Sequence, residues 1–162
     1  GTAAADALKT YYSCGRFMQM NFLLSHYQKP ILCFDIDAIF EASVGSINDY
    51  IMGKDLGLIL REPLDSPWLD IIAHIVVANP TPDAARYFKL VRNYVLHFMD
   101  RGKSFWHLDQ IALYCVLKMM GRYAMAPEVA WIPQSFQRLV WQIGQGYEYK
   151  LKDERFTKYS LR

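Results

Sequence analysis

Ile31-Leu32-Cys33-Phe34-Asp35-Ile36-Asp37 is the stretch on which the fold turns. Four apolar residues stand between Lys29-Pro30, which breaks the helix before them, and a pair of carboxylates. A short apolar run bounded in this way predicts a strand buried on both faces, as in a parallel sheet. Carboxylates emerging where such a strand ends occupy the place at which open α/β sheets bind ligands. Residues at i and i+2 of an extended segment point to one side, so Asp35 and Asp37 can face one ion. Hard oxygen ligands favour Mg2+ or Mn2+, and such an ion neutralises a diphosphate. The plainer alternative is a solvated turn, with Asp37 capping the next segment.

Upstream, residues 5–27 carry a helical pattern with two apolar stripes. Tyr11, Cys14, Met18 and Phe22 form one; Phe17, Met20, Leu24 and Tyr27 form the other. Two stripes predict a helix covered on much of its circumference, with Arg16 as its strong cation. Downstream, apolar runs predict strands near residues 56–60 and 71–78. Thr81-Pro82 is a helix start, with Thr as N-cap and Pro in the first helical position. Ala85, Phe88, Val91, Val95 and Phe98 recur at helical spacing, and Asp100-Arg101-Gly102 should end that helix. A second helix over 109–120 is apolar nearly all round, which predicts burial, and a short strand comes after it near 129–132. Strands alternating with helices give an α/β layered fold.

The chain has 162 residues, the size of one domain, and at 52% hydrophobic it can fill a core. A net charge of +2 advertises neither nucleic acid nor a membrane surface. No window reaches the roughly 18 apolar residues of a membrane helix. Cys14, Cys33 and Cys115 are odd in number and lie in apolar runs, which reads as buried, reduced thiols and a cytoplasmic setting. We find no internal repeat and no low-complexity linker, so residues 1–162 read as a single domain.

Three ordered segments resemble the GT-A glycosyltransferases, especially glycogenin-like and bacterial galactosyltransferase-like families. They are Tyr11-Tyr12-Ser13-Cys14-Gly15-Arg16-Phe17, the Asp-x-Asp segment 30–40, and Trp106-His107-Leu108-Asp109-Gln110 leading into Ile111-Ala112-Leu113. Residues 71–81, with 85–88 after them, resemble a strand and helix of the same families. The likeness spans about residues 10–135, and its specific parts are the Asp-x-Asp and the Asp-Gln.

The resemblance implies a partial GT-A (nucleotide-diphospho-sugar transferase) fold, with a mixed sheet flanked by helices. It implies transfer of a sugar from a nucleotide-diphosphate donor, a UDP-sugar first among them, to an unidentified acceptor. Asp35 and Asp37 would hold Mn2+ or Mg2+ on the donor diphosphate. Arg16, Asp35 and Lys150 would contact the donor, and Asp109 and Gln110 would serve the transferred sugar or the acceptor. The plainer alternatives are a helix-surface salt bridge for Arg16, a helix N-cap for Asp109 and a solvated tail for Lys150.

Three departures accompany the likeness. His74 stands where the related families place a small residue, and the plainer reading is a gap-filling core histidine. The four histidines, His26, His74, His97 and His107, leave none after the Asp-Gln to serve as a late metal ligand. Only 34 residues precede Asp35, whereas a base-binding half of two strand–helix units takes about 60. The expectation is therefore that the N-terminal nucleotide-binding half is missing.

Two other classes compete with this reading. A non-catalytic binding or structural domain could keep the sheet without a complete donor site, and an open sheet edge would suit a homo-oligomer. An apolar strand with Asp-x-Asp also opens the haloacid dehalogenase-like phosphotransferases. Those, however, carry Thr or Val where this chain has Ile39, and need a downstream Lys and a late acidic pair that are not evident.

Overall fold

The computed structural model describes residues 3–35, 45–60, 70–105 and 107–133. In chain order the elements are α1 (Ala3–Tyr27), β1 (Ile31–Phe34), α2 (Gly45–Ile51), β2 (Leu56–Leu60), β3 (Ile71–Ala78), α3 (Pro82–Met99), α4 (Leu108–Arg122) and β4 (Val129–Ile132). The architecture is α/β, with a mixed four-stranded sheet of order β1-β3-β2-β4 flanked by helices. β3 runs antiparallel to both β1 and β2, while β2 and β4 are parallel. Strands β1, β2 and β4 thus share one direction, and Asp35 lies at the C-terminal end of the first.

This corrects the parallel, doubly buried setting expected for β1. It lies at an edge of the described sheet, its first three residues are half-buried, and Phe34 is 43% exposed. Four apolar residues cannot by themselves distinguish a central strand from an edge strand that one helix covers. Here α1, folded back at the helix break of Lys29-Pro30, packs with β1 in one core.

One face of the sheet carries α1, α3 and α4. Their shared core takes Cys14, Phe17 and Met20 from α1, Leu58 from β2 and Val76 from β3. Phe88 and Val91 of α3 and Leu113 and Val116 of α4 complete it. The opposite face packs Ile59, Ile72, Ile75 and Val77 against Ile47 and Ile51 of α2. Sequence periodicity gave no sign of α2. Seven residues starting Gly-Ser and containing Asn have poor helix propensity, so the helix depends on the apolar surface that Ile47 and Ile51 cover.

Helix α1 buries one stripe rather than two. Thr10, Cys14, Phe17, Met20 and Leu24, spaced four, three, three and four apart, face the core, while Tyr11, Phe22 and Tyr27 are exposed. A hydrophobic stripe specifies a face that can be buried, not a neighbour to bury it. Gln28, at φ 50°, closes this helix in the left-handed conformation, its N–H bonding the Leu24 carbonyl at 3.1 Å.

Thr81 caps α3 as expected, its Oγ1 accepting from Ala84 N at 3.2 Å. The same hydroxyl donates to Asp55 Oδ1 at 2.6 Å, and Asp55 Oδ2 accepts from Glu128 N at 2.7 Å. One carboxylate thereby ties together the starts of β2, α3 and β4. Tyr87 of α3 is wholly buried and donates to the Leu113 carbonyl of α4 at 2.7 Å, which fixes the two helices against each other.

One irregularity shapes the site. Leu58 pairs with Val76, but the next residue, Ile59, pairs with Ile72, so β3 bulges over residues 73–75. Side chains on the helix-covered face are Ile71 and Ala73 before the bulge, then Val76 and Ala78 after it. Alternation changes parity at His74-Ile75. Bulges re-aim a side chain that a regular strand would send into the sheet face.

Candidate functional site

Arg16 lies on the buried side of α1, next to Phe17, with its guanidinium carbon 4.6 Å from the Phe17 ring centroid. Its Nη1 donates to Oδ1 of Asp35, at the end of β1, and its Nη2 lies 3.4 Å from Oδ2 of Asp109, in the first turn of α4. Three segments far apart in sequence, spanning 93 positions from Arg16 to Asp109, are thus joined by one guanidinium. The three side chains are 18%, 24% and 8% exposed. Such burial takes Arg16 beyond the surface salt bridge of the plainer reading.

The fourth member is His74. Asp35 N donates to the His74 carbonyl at 3.2 Å, so the edge pairing of β1 and β3 extends one residue past β1 and sets the two side chains together. His74 Nδ1 bonds Oδ2 of Asp35. An ionised carboxylate can only accept, which places the proton on Nδ1. Burial alone would raise the Asp35 carboxyl, but the His74 hydrogen bond and the Arg16 charge outweigh it and hold it below its ordinary range. His74 is therefore not a gap-filler in the core; its side chain is 30% exposed and engaged by Asp35. The sequence signal was a lone polar residue inside an apolar strand.

Asp109 does not cap α4. His107 is the N-cap, in the left-handed conformation at φ 69°, with no side-chain capping bond. Asp109 sits two positions further in, where the unpaired amides of the first turn favour a negative charge. Its Oδ1 accepts from Gln110 N at 2.9 Å. Gln110 is buried too, and its described side-chain contact is Nε2 to His107 Nδ1 at 2.7 Å.

Of the residues expected at the site, Arg16, Asp35 and Asp109 converge. Gln110 is adjacent, and Asp37 and Lys150 lie outside the described residues. Among the described residues no group of three His, Cys, Asp or Glu side chains is close enough to hold a metal ion. The thiols nearby are raised: burial, and next the Asp109 charge, push Cys14 up to about 12 against opposing effects of Ser13 and Arg16. Burial likewise raises Cys33. All three cysteines are free, with Cys14 buried and Cys33 and Cys115 half-buried.

Compared with known proteins, the chain matches no family model, no curated protein and no solved structure. Among the described residues no helix is long and apolar enough to cross a membrane.

Proposed function

We propose that this chain is the metal-binding part of a GT-A-type glycosyltransferase, which moves a sugar from a nucleotide-diphosphate donor to an acceptor. The observation that supports it is Arg16, whose guanidinium joins the three segments carrying the resemblance through Asp35 and Asp109. Two carboxylates and an arginine at the end of a sheet strand suit a diphosphate and the sugar attached to it.

Asp35 and Asp37 are the residues to hold Mn2+ or Mg2+. In chemical type the pair fits, since carboxylates are the ligands such ions take. In the described geometry each Asp35 oxygen already accepts a hydrogen bond, so an ion has to take a remaining lone pair or displace His74 or Arg16. A bound ion would supply Lewis-acid stabilisation of the departing nucleoside diphosphate. The chain's own residues orient and neutralise. Arg16 carries positive charge to the phosphate side of the cluster, and buried Asp109 offers negative charge toward an oxocarbenium-like sugar.

Calorimetric titration with Mn2+, with and without uridine and guanosine diphosphates, tests this reading. Metal-dependent nucleotide binding that Asp37→Ala abolishes is the expected result. Absence of any such binding overturns the reading for this chain. A second reading, a non-catalytic domain derived from such a fold, is favoured by the internal pairing of both Asp35 oxygens. It predicts that Asp37→Ala changes neither metal binding nor stability.

A further inference from the structure

The two donors that meet on Asp35 belong to different elements and approach different oxygens. Arg16 comes from α1 to Oδ1; His74 comes from the β3 bulge to Oδ2. The regular β1–β3 ladder puts Asp35 opposite His74, in step with Cys33 and Val76 on the helix-covered face. Arg16 is also under-used. Among the described residues its Nε is buried without a hydrogen-bond partner, and its contact to Asp109 is long at 3.4 Å. A buried guanidinium with an unmet N–H is a donor set built for more acceptors than it has.

We propose that Arg16 and His74 form an anion-binding pair for a phosphate group, and that the Asp35 carboxylate occupies it as an internal stand-in. A carboxylate and a phosphate offer paired oxygens to the same fork of donors, which is why guanidinium recognises both. Asp35 holds the pair assembled and blocks it at once. When Asp35 turns to another partner, the Arg16 fork and the His74 Nδ1–H are left facing the space the carboxylate filled. In taking that phosphate to be the donor diphosphate, the inference rests on the transferase reading; the anion site itself does not. His74 thereby becomes a binding residue rather than a departure from the family pattern.

The test is metal-free. Inorganic pyrophosphate is titrated calorimetrically, with chelator present, into the wild-type chain, Asp35→Asn, Asp35→Ser and Asp35→Asn with His74→Ala. Thermal melts establish that each variant folds, and the two neutral replacements are carried in parallel so that misfolding of one does not decide the outcome. Removing a negative charge within contact distance of the bound anion should tighten pyrophosphate about tenfold, after allowance for solvent screening. Adding His74→Ala should return the affinity to near the wild-type value. Folded neutral variants that bind no better than wild type overturn the proposal, as does a gain that survives loss of His74. If the variants gain affinity while the wild-type chain shows no metal-dependent nucleotide binding, the anion pair stands and the transferase reading falls. The reverse pattern removes the anion pair and leaves the transferase reading intact.

Discussion

Replacing Arg16 by methionine keeps most of the side chain's length and apolar stem while deleting its charge. Asp35 and Asp109 would then share one largely buried site in which, among the described residues, His74 alone contacts either of them with a potential positive charge. Removing one partner of a fully buried ion pair costs about 3–5 kcal/mol, because the other charge is stranded. Here the side chains retain 18%, 24% and 8% exposure, and Asp35 keeps its imidazole, so about 2–3 kcal/mol is the expected loss. That is a large part of the roughly 5–15 kcal/mol by which domains are stable. It should lower Tm by about 5–10 °C for a chain of this size.

The assay is thermal and urea unfolding monitored by circular dichroism, with Arg16→Met, Asp109→Leu and the double variant completing a cycle. The double variant should recover part of the loss, since an apolar pair replaces the ion pair. The pH dependence has a definite sign. The folded Asp35 carboxyl is depressed below its unfolded value, so its contribution is present above the ordinary carboxylate range and is lost as pH falls through the folded value. The gap between wild type and Arg16→Met should therefore narrow in acid. A single variant within about 0.5 kcal/mol of wild type at neutral pH would refute the reasoning and reduce Arg16 to an ordinary surface cation.

Three further outcomes concern the packing and the thiols. Gly57→Ala puts a methyl group 2.5 Å from Ile51 Cγ2, 3.2 Å from Ile132 Cδ1 and 3.3 Å from Val77 Cβ. Overpacking should cost about 1–3 kcal/mol, offset by less than about 1 kcal/mol of backbone entropy; an unchanged urea midpoint would mean that α2 shifts freely. Tyr87→Phe deletes the buried bond to the Leu113 carbonyl and should cost about 1 kcal/mol in the same assay. Cys14, pushed up to about 12, has almost no thiolate at neutral pH, so iodoacetamide should leave it unmodified in the native chain and label it after unfolding, read by mass spectrometry.

The elements that the sequence made legible are those with a local physical signal. β2, β3 and β4 fall where apolar runs lie between polar or turn residues, and Thr81-Pro82 marks the start of α3 because cap and ring act within one turn. Partnership was not legible. Whether Ile31–Phe34 is central or at an edge depends on which strand pairs beside it, and the antiparallel β3 that does so lies some 40 positions away. Helix α2 was hidden for the related reason that its stability comes from Ile59, Ile72 and Ile75 across the interface, not from its own residues.

The site divides along the same line. Asp35 could be singled out as a carboxylate at a strand end and Arg16 as the strong cation of an apolar helix, whereas Asp109 was marked only by the resemblance that its Asp-Gln segment carries. Their mutual pairing could not, since it is set by how α1 and α4 lie on one face of the sheet. His74 shows the point most sharply. In sequence it is one polar residue in Ile-Ala-His-Ile-Val, and alternation gives it one face counted from Ile72 and the other counted from Val76. Two facts of pairing decide. The bulge against β2 breaks the alternation at residues 73–75, and the antiparallel neighbour β1 ends opposite it, so that Asp35 N meets the His74 carbonyl. The depression of the Asp35 carboxyl is therefore owed to a residue of β3 as well as to Arg16. A ligand that approaches Oδ2 of Asp35 from the β3 side therefore competes with the sheet's own histidine.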